Sequence, residues 1–190
     1  MSGLITPREQ HKKLFARSLA DRQKMHECAE GRTGTAGENR MSTAAPMREI
    51  QGKCHCGNIE YDLLWPVSGK MIAVRACGCA FCAKHGGVYT SHPDARLEAR
   101  IVDMSLINRY AFGTRTAEFY ICTRCGVVPF VTSTIEGNVF AVVNVNTFEK
   151  VDPSELDASP TDFEGESVEG RLGRRKRNWI SRVSLAGSAE

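Results

Sequence analysis

Apolar and polar residues alternate in short runs along the middle of the chain. The clearest run is 59–63, where Ile59, Tyr61 and Leu63 alternate with Glu60 and Asp62. Successive side chains of a strand point to opposite faces, so this pattern predicts a strand with one buried face. A second run, 139–143, is apolar throughout and predicts a central strand.

Similar runs recur between about residue 48 and residue 150, with turn residues between them. They lie at 71–74, 88–90, 97–102, 107–112, 118–121 and 127–131. Many short strands separated by turns are typical of a small all-β domain of sandwich-like or barrel-like architecture. We therefore predict a mainly β domain of short antiparallel strands, sandwich-like, over residues 47–150.

The two ends of the chain depart from this pattern. Residues 1–46 begin with apolar residues near helical spacing and continue into a Gly-rich polar stretch, which predicts a disordered extension or a short helix. Translation can also start at Met41 or Met47, in which case the residues before that methionine are not part of the natural protein. Residues 151–190 pass from an acidic stretch into the basic run 171–177, and charge blocks of this kind are typical of solvated tails.

We accordingly predict a flexible C-terminal tail over 151–190. One helical turn is expected to begin near Asp152, because Asp152-Pro153-Ser154-Glu155 has the composition of a helix start. Trp179 and Ile180 are the residues expected to pin this tail to the domain.

Composition narrows the class of protein. The 190 residues include 25 Lys+Arg and 22 Asp+Glu, a net charge of +3 that gives no argument for binding nucleic acid or a membrane. No apolar stretch reaches the roughly 18–20 residues that a membrane span needs, and the N-terminus lacks the apolar core of a signal peptide. We predict a cytoplasmic protein, in which closely spaced cysteines are typical of metal sites rather than disulfides. The sequence leaves the oligomeric state open.

Seven of the eight cysteines fall into three tight groups, whereas Cys28 stands alone and is interpreted as a spare thiol. Two of the groups are pairs, and together they offer four sulfurs, which close a tetrahedral zinc site. A Gly follows each pair directly, and Gly lets the backbone turn so that both sulfurs face one point. We predict a structural zinc here, with a rubredoxin-like iron as the alternative. This four-cysteine group consists of Cys54, Cys56, Cys122 and Cys125.

The third group, here called the three-cysteine group, consists of Cys77, Cys79 and Cys82. One loop can wrap these three sulfurs around a single ion, which gives two zinc ions per chain. Three sulfurs leave a tetrahedral zinc with one position for water or substrate, and such an ion can polarise a carbonyl or hold a thiolate. The alternatives are a second structural zinc and a redox pair of Cys79 and Cys82, although the βαβ context of thioredoxin-like motifs is missing. The side chains that can complete a second structural zinc are His55, His85 and His92.

The cysteine groups stand in longer motifs that resemble the glutathione-dependent formaldehyde-activating enzyme family, which also includes centromere protein V. The resemblance covers about residues 48–150. It implies a β-rich fold built around zinc, with a structural metal at the four-cysteine group and a catalytic metal at the three-cysteine group. It also implies the condensation of glutathione with formaldehyde to S-hydroxymethylglutathione, which is carbon–sulfur lyase chemistry. The motifs are Gly52-Lys-Cys-His-Cys-Gly57, Cys77-x-Cys79-x-x-Cys82-x-Lys84-x-x-Gly87 and Cys122-x-x-Cys125-Gly126.

The sequence is consistent with three different functions. In the first, a small thiol loses its proton at the three-cysteine zinc and attacks an aldehyde, forming an S-hydroxymethyl adduct. Lys84 and His85 are candidates to assist by charge or proton transfer, and Arg75 and Arg109 to meet an anionic substrate, although all four are equally typical of a plain surface. The second function is a non-catalytic zinc-binding interaction module whose surface is 171–177. The third is a redox or metal-handling thiol protein.

Overall fold

A computed structural model describes residues 46–67 and 71–187, so the predicted N-terminal extension and Cys28 lie outside the described residues. In the described part the chain forms eleven strands and two α-helices, α1 (Ala80–His85) and α2 (Val168–Asn178). Neither helix has the length and apolar character of a membrane span. The strands are β1 (Met47–Lys53), β2 (Ile59–Pro66), β3 (Ile72–Cys77), β4 (Val88–Thr90), β5 (Arg96–Ile101), β6 (Ile107–Tyr110), β7 (Glu118–Cys122), β8 (Phe130–Ile135), β9 (Asn138–Asn144), β10 (Leu156–Thr161) and β11 (Arg182–Gly187).

The strands build two sheets, which confirms the predicted mainly β class. The smaller sheet has the order β1-β2-β5-β11, and the larger has the order β10-β3-β4-β9-β8-β7-β6. Most neighbours are antiparallel, as predicted, but β10 pairs with β3 and β11 pairs with β5 in parallel. Long connections rather than tight turns join those two pairs, so nothing in the chain forces them to be antiparallel.

One apolar core joins the two sheets. On β2 the side chains of Ile59, Tyr61 and Leu63 are buried, and Asp62 between them is exposed, so the predicted alternation is confirmed. They pack in one cluster with residues of the larger sheet such as Phe130. We call this the inner core.

A second apolar cluster lies on the other face of the larger sheet. Successive residues of β9 alternate between the two clusters: Ala141 and Val143 belong to the inner core, and Phe140 and Val142 belong to the second cluster. Leu172 of α2 packs against this second cluster, which we call the outer cluster. The larger sheet is therefore buried on both faces, which explains the continuous apolar run of β9.

The segment after residue 150 differs from the predicted tail. Pro153–Glu155 forms the expected helical turn, but β10 and β11 then extend one sheet each and α2 packs beside them. Trp179 is buried as predicted, and Ile180 is 0% exposed and exchanges backbone hydrogen bonds of 2.9 and 3.0 Å with Ala141. The charged run misleads because part of it turns inward: Arg175 is only 7% exposed.

Candidate metal centres

The four-cysteine group comes together at the ends of two distant strands. Cys54 and Cys56 lie just after β1, whereas Cys122 ends β7 and Cys125 lies in the following turn. The sulfur of Cys56 is 3.7 Å from that of Cys54 and 3.4 Å from that of Cys122, and all four sulfurs lie within 4.8 Å of one another. A tetrahedral zinc with Zn–S bonds of about 2.3 Å separates its sulfurs by roughly 3.8 Å. The four thiols therefore fit one zinc ion.

The two turns have the geometry that their glycines predict. Gly57 has a φ of 78° and Gly126 a φ of 75°, in the left-handed region that favours glycine. Each donates its amide proton to the carbonyl oxygen of the first cysteine of its pair, at 3.0 Å for Gly57 and 2.7 Å for Gly126. The amide of Ile59 also donates to the Cys54 sulfur at 3.3 Å, which favours a thiolate there.

Burial and backbone amides act in opposite directions on these thiols. Burial raises the pKa of Cys122 to about 12 and also raises the pKa of Cys54. Burial also acts to raise the pKa of Cys125, but hydrogen bonds from backbone amides and neighbouring thiols outweigh it and lower that pKa to about 6. A bound cation is what allows all four sulfurs to ionise together.

The three-cysteine group forms at one local junction between β3 and α1. Cys77 ends β3, Cys79 caps the N-terminus of α1, and Cys82 lies inside the helix. Residues three apart on a helix lie on the same side, so the sulfurs of Cys79 and Cys82 approach each other. The amide of Cys82 donates to the Cys79 sulfur at 3.4 Å, and all three sulfurs lie within 4.8 Å of one another.

Among the described residues, no His, Asp or Glu joins the three sulfurs to complete the group. The ring of His85 instead packs on Phe81, with centroids 4.4 Å apart. The ring of His92 packs edge-on against Trp65 at 5.8 Å. His55 lies in the turn of the four-cysteine group, but its ring is not among the potential metal ligands there.

The three thiols of this group shift one another's pKa in opposite directions. Hydrogen bonds from the thiols of Cys77 and Cys82 lower the pKa of Cys79 to about 2, assisted by the amides of Cys82 and Phe81. The same contacts raise the pKa of Cys82. The sulfur donors suit a soft or borderline cation such as zinc.

Tyr89 is a residue beside this group that the sequence did not single out. It pairs with Arg75 across β4 and β3, is 6% exposed, and packs in the outer cluster with Cys82. Burial, together with the nearby charge of Cys82, raises the pKa of its hydroxyl. No described residue accepts or donates a hydrogen bond at that hydroxyl. In the sequence Tyr89 looks like one more apolar strand residue, and only its place opposite β3 could have marked it.

Aromatic rings border the three-cysteine group on the side of α1. The ring of Phe81 lies 4.8 Å from that of Phe119, 5.1 Å from that of Tyr110 and 5.2 Å from that of Phe112. Phe81 itself stands between Cys79 and Cys82 in the chain. Phe81, Phe112 and Phe119 belong to the same apolar cluster as the three cysteines.

The other predicted site residues lie in different environments. Lys84 and His85 are exposed on α1, and Arg109 is exposed with its guanidinium 3.8 Å from Glu118. Arg75 is half-buried, donates to the Ser91 hydroxyl at 2.6 Å, and lies close enough to Cys77 to feel its charge. Of the two predicted anion-binding arginines, Arg75 therefore lies beside the three-cysteine group, whereas Arg109 is paired with Glu118.

Comparison with known proteins gives a family. The family described as glutathione-dependent formaldehyde-activating enzyme matches residues 49–164, which is more than half of the chain. A crystal structure of a Rhodobacter sphaeroides protein, a structural genomics target, is 26% identical with a TM-score of 0.41, over 57% of this chain and 99% of that chain. No curated protein matches the chain. The chain belongs to the glutathione-dependent formaldehyde-activating enzyme family.

Proposed function

We propose that this chain is a zinc enzyme with two ions, one of which holds the fold while the other takes part in the reaction. Its substrates are a small thiol of the glutathione type and an aldehyde, and its product is an S-hydroxymethyl adduct. The observation that carries the proposal is the unequal number of ligands: four sulfurs meet in one group and three in the other. A tetrahedral zinc held by three protein ligands keeps one position for substrate.

The reaction needs little from the protein beyond a thiolate and a polarised carbonyl. Zinc, when bound at the three-cysteine group, supplies Lewis acidity that favours the thiolate form of a substrate thiol at neutral pH. The thiol proton leaves to solvent, the substrate sulfur bonds to the aldehyde carbon, and the carbonyl oxygen takes up a proton. The sum is thiol plus aldehyde giving a hydroxymethyl thioether, with no change of oxidation state at the metal.

The chain's own side chains have two tasks in this scheme. Phe81, Phe112 and Phe119 give the sulfurs an apolar border within the outer cluster, and an apolar environment strengthens electrostatic interactions there. The buried hydroxyl of Tyr89 faces Cys82 from within the outer cluster and can donate a hydrogen bond to that sulfur once it is a thiolate. Such a bond fixes the orientation of a metal ligand.

The same proposal places the protein in the cytoplasm, where thiols remain reduced. All seven cysteines of the two groups are free thiols in the structure. The alternative of a non-catalytic interaction module has less support, because Arg171, Arg174 and Arg175 of its supposed surface turn towards the protein.

The test is to compare Cys79→Ser with the wild-type protein. We expect two zinc ions per wild-type chain by metal analysis, and one in the variant. We also expect the variant to keep its circular dichroism spectrum and to lose formation of the S-hydroxymethyl adduct. Full turnover in the variant would place the chemistry elsewhere, and complete unfolding would make the three-cysteine group structural.

A further inference from the structure

Three arginines of α2 turn inward rather than into solvent. Arg174 and Arg175 follow Arg171 by three and four residues, so both lie on the same side of the helix as Arg171. The side chains of Arg171 and Arg174 are 22% and 20% exposed, whereas Lys176 and Arg177 on the same helix are exposed. Burying guanidinium groups is costly unless anions or hydrogen bonds compensate for lost water.

The partners of these arginines compensate only in part. Glu166 pairs with Arg174 in a forked arrangement, with hydrogen bonds of 2.9 and 2.8 Å, and lies 3.8 Å from Arg171 Nε. Arg175 donates to neutral oxygens, including the carbonyl of Thr116 at 2.7 Å. The buried Nε atoms of Arg171 and Arg175 have no hydrogen-bond partner among the described residues.

Arg75 connects this cluster to the three-cysteine group. It precedes Cys77 by two residues on β3, so both side chains lie on the same face of the strand, roughly 6–7 Å apart at their Cα atoms. Ser91, which accepts a hydrogen bond from Arg75, donates in turn to the carbonyl of Asn178 at the end of α2.

Thr161 of β10 pairs with Cys77 and its carbonyl accepts a hydrogen bond from the Gly78 amide at 2.9 Å, so the segment 161–166 begins beside the sulfurs. Two residues of that segment contact the arginines of α2: the Phe163 carbonyl accepts from Arg171 at 2.8 Å, and Glu166 pairs with Arg174.

We infer that Arg75, Arg171 and Arg174 form an anion subsite that holds a carboxylate of the thiol substrate beside the three-cysteine group. The identity of the ligand rests on the proposed function, and the arginine cluster itself does not. Guanidinium groups match carboxylates because their planar forks donate two parallel hydrogen bonds. A thiol that carries a carboxylate a few bonds from its sulfur spans the distance between Arg75 and the cysteines. Two of these three arginines lie beyond residues 49–164, so the family match does not include them.

The first experiment changes the ligand and leaves the zinc-loaded protein intact. Calorimetry would compare S-methylglutathione, which cannot react but keeps its carboxylates, with its diethyl ester, which lacks both charges. We expect the ester to bind at least tenfold more weakly, as is typical when a charge-assisted hydrogen bond is lost. Equal affinities would overturn the subsite.

The second experiment changes the protein. Arg75→Gln is the decisive variant because it removes the charge at the cost of one hydrogen bond to Ser91. We expect its affinity for S-methylglutathione to fall about tenfold, and Arg174→Gln to show a similar loss. Arg177→Gln is the matched control, since it removes the same charge from an exposed position of α2 and should bind as the wild type does.

The outcomes separate this inference from the proposed function. Arginine-dependent binding without turnover of glutathione and formaldehyde would support the subsite and contradict the enzyme proposal. Turnover with unchanged affinity in Arg75→Gln and Arg174→Gln would support the enzyme proposal and overturn the subsite. Arg174→Lys keeps the charge near Glu166, so it checks that a loss in Arg174→Gln does not arise from misfolding.

Discussion

The two cysteine groups lie on opposite faces of the larger sheet and are built in different ways. Cys54 and Cys122 pack in the inner core, and their group ties β1 of the smaller sheet to β7 of the larger. Cys82 belongs to the outer cluster, and its group forms within a single junction of β3 and α1. A metal in the first position joins segments far apart in the chain, whereas a metal in the second organises one short loop.

This difference predicts different consequences when each group is removed. Closing a long loop carries the larger entropic cost, so a clamp between distant strands contributes most to stability. A metal that binds one loop contributes less to the fold, and its ligands remain available for chemistry. The same residue type, cysteine, therefore has a proposed structural task on one face of the sheet and a proposed catalytic task on the other.

The largest effect is expected from Cys122→Ser. Structural zinc supplies on the order of 10 kcal/mol, which is comparable with the whole stability of a domain. We expect this variant to lose cooperative unfolding in a urea titration followed by circular dichroism. Cys79→Ser is the matched control in the other group and should keep a cooperative transition. Similar transitions in the two variants would contradict the division between the groups.

The next largest loss of stability is expected from a substitution in the segment 151–187. Ile180 is fully buried and bridges to β9, so Ile180→Ala should destabilise the protein by about 2–5 kcal/mol. Leu185→Ala on exposed β11 is the control, and it should change the free energy of unfolding by less than about 1 kcal/mol. If Ile180→Ala behaved like the control, the C-terminal segment would not be part of the core.

A smaller effect is expected from replacing glycines that have a positive φ. Gly126→Ala in the four-cysteine turn should cost about 1–2 kcal/mol, since a Cβ at this position meets open space and only the backbone is strained. It should also weaken zinc retention against a chelator. Gly113→Ala, with a φ of 58° and similarly open surroundings, should cost as much stability without changing zinc retention. Equal zinc loss in the two would show that the turn geometry is unrelated to the metal.

The smallest change in stability is expected from Tyr89→Phe. Its hydroxyl has no hydrogen-bond partner among the described residues, so its removal should leave the stability of chelator-treated protein within about 1 kcal/mol, or raise it. With metal bound, the loss of a hydrogen bond to the Cys82 thiolate should weaken zinc at the three-cysteine group roughly tenfold or more. Competition with a chromophoric chelator measures this affinity. An unchanged zinc affinity would mean that the hydroxyl does not contact the thiolate.

The sequence predicted the parts of this molecule that depend on local pattern. Alternation marked β2, a continuous apolar run marked β9, and cysteine spacing together with glycines marked both sulfur groups. These features are readable because strand period and turn chemistry act over a few residues.

The features that the sequence missed depend on contacts between distant segments. The charges of 171–177 suggested a solvated tail, because a run of like charges is usually exposed. The hydrogen bond from Arg175 to the Thr116 carbonyl joins segments far apart in the chain, so the local sequence does not reveal it. The parallel pairing of β10 with β3 brings α2 next to Arg75, and no local pattern encodes that pairing. The sequence missed Tyr89 for the same reason, because only the fold brings its side chain next to the three-cysteine group.

Cobalt substitution tests the central claim most directly. With Co²⁺ at both groups, addition of a small thiol should change the visible absorption of one ion, because only the three-cysteine group has a position to accept it. The same addition to Cys79→Ser, which keeps cobalt at the four-cysteine group, should leave the spectrum unchanged. A wild-type spectrum that does not respond, or a variant spectrum that responds equally, would contradict the unequal coordination on which the account depends.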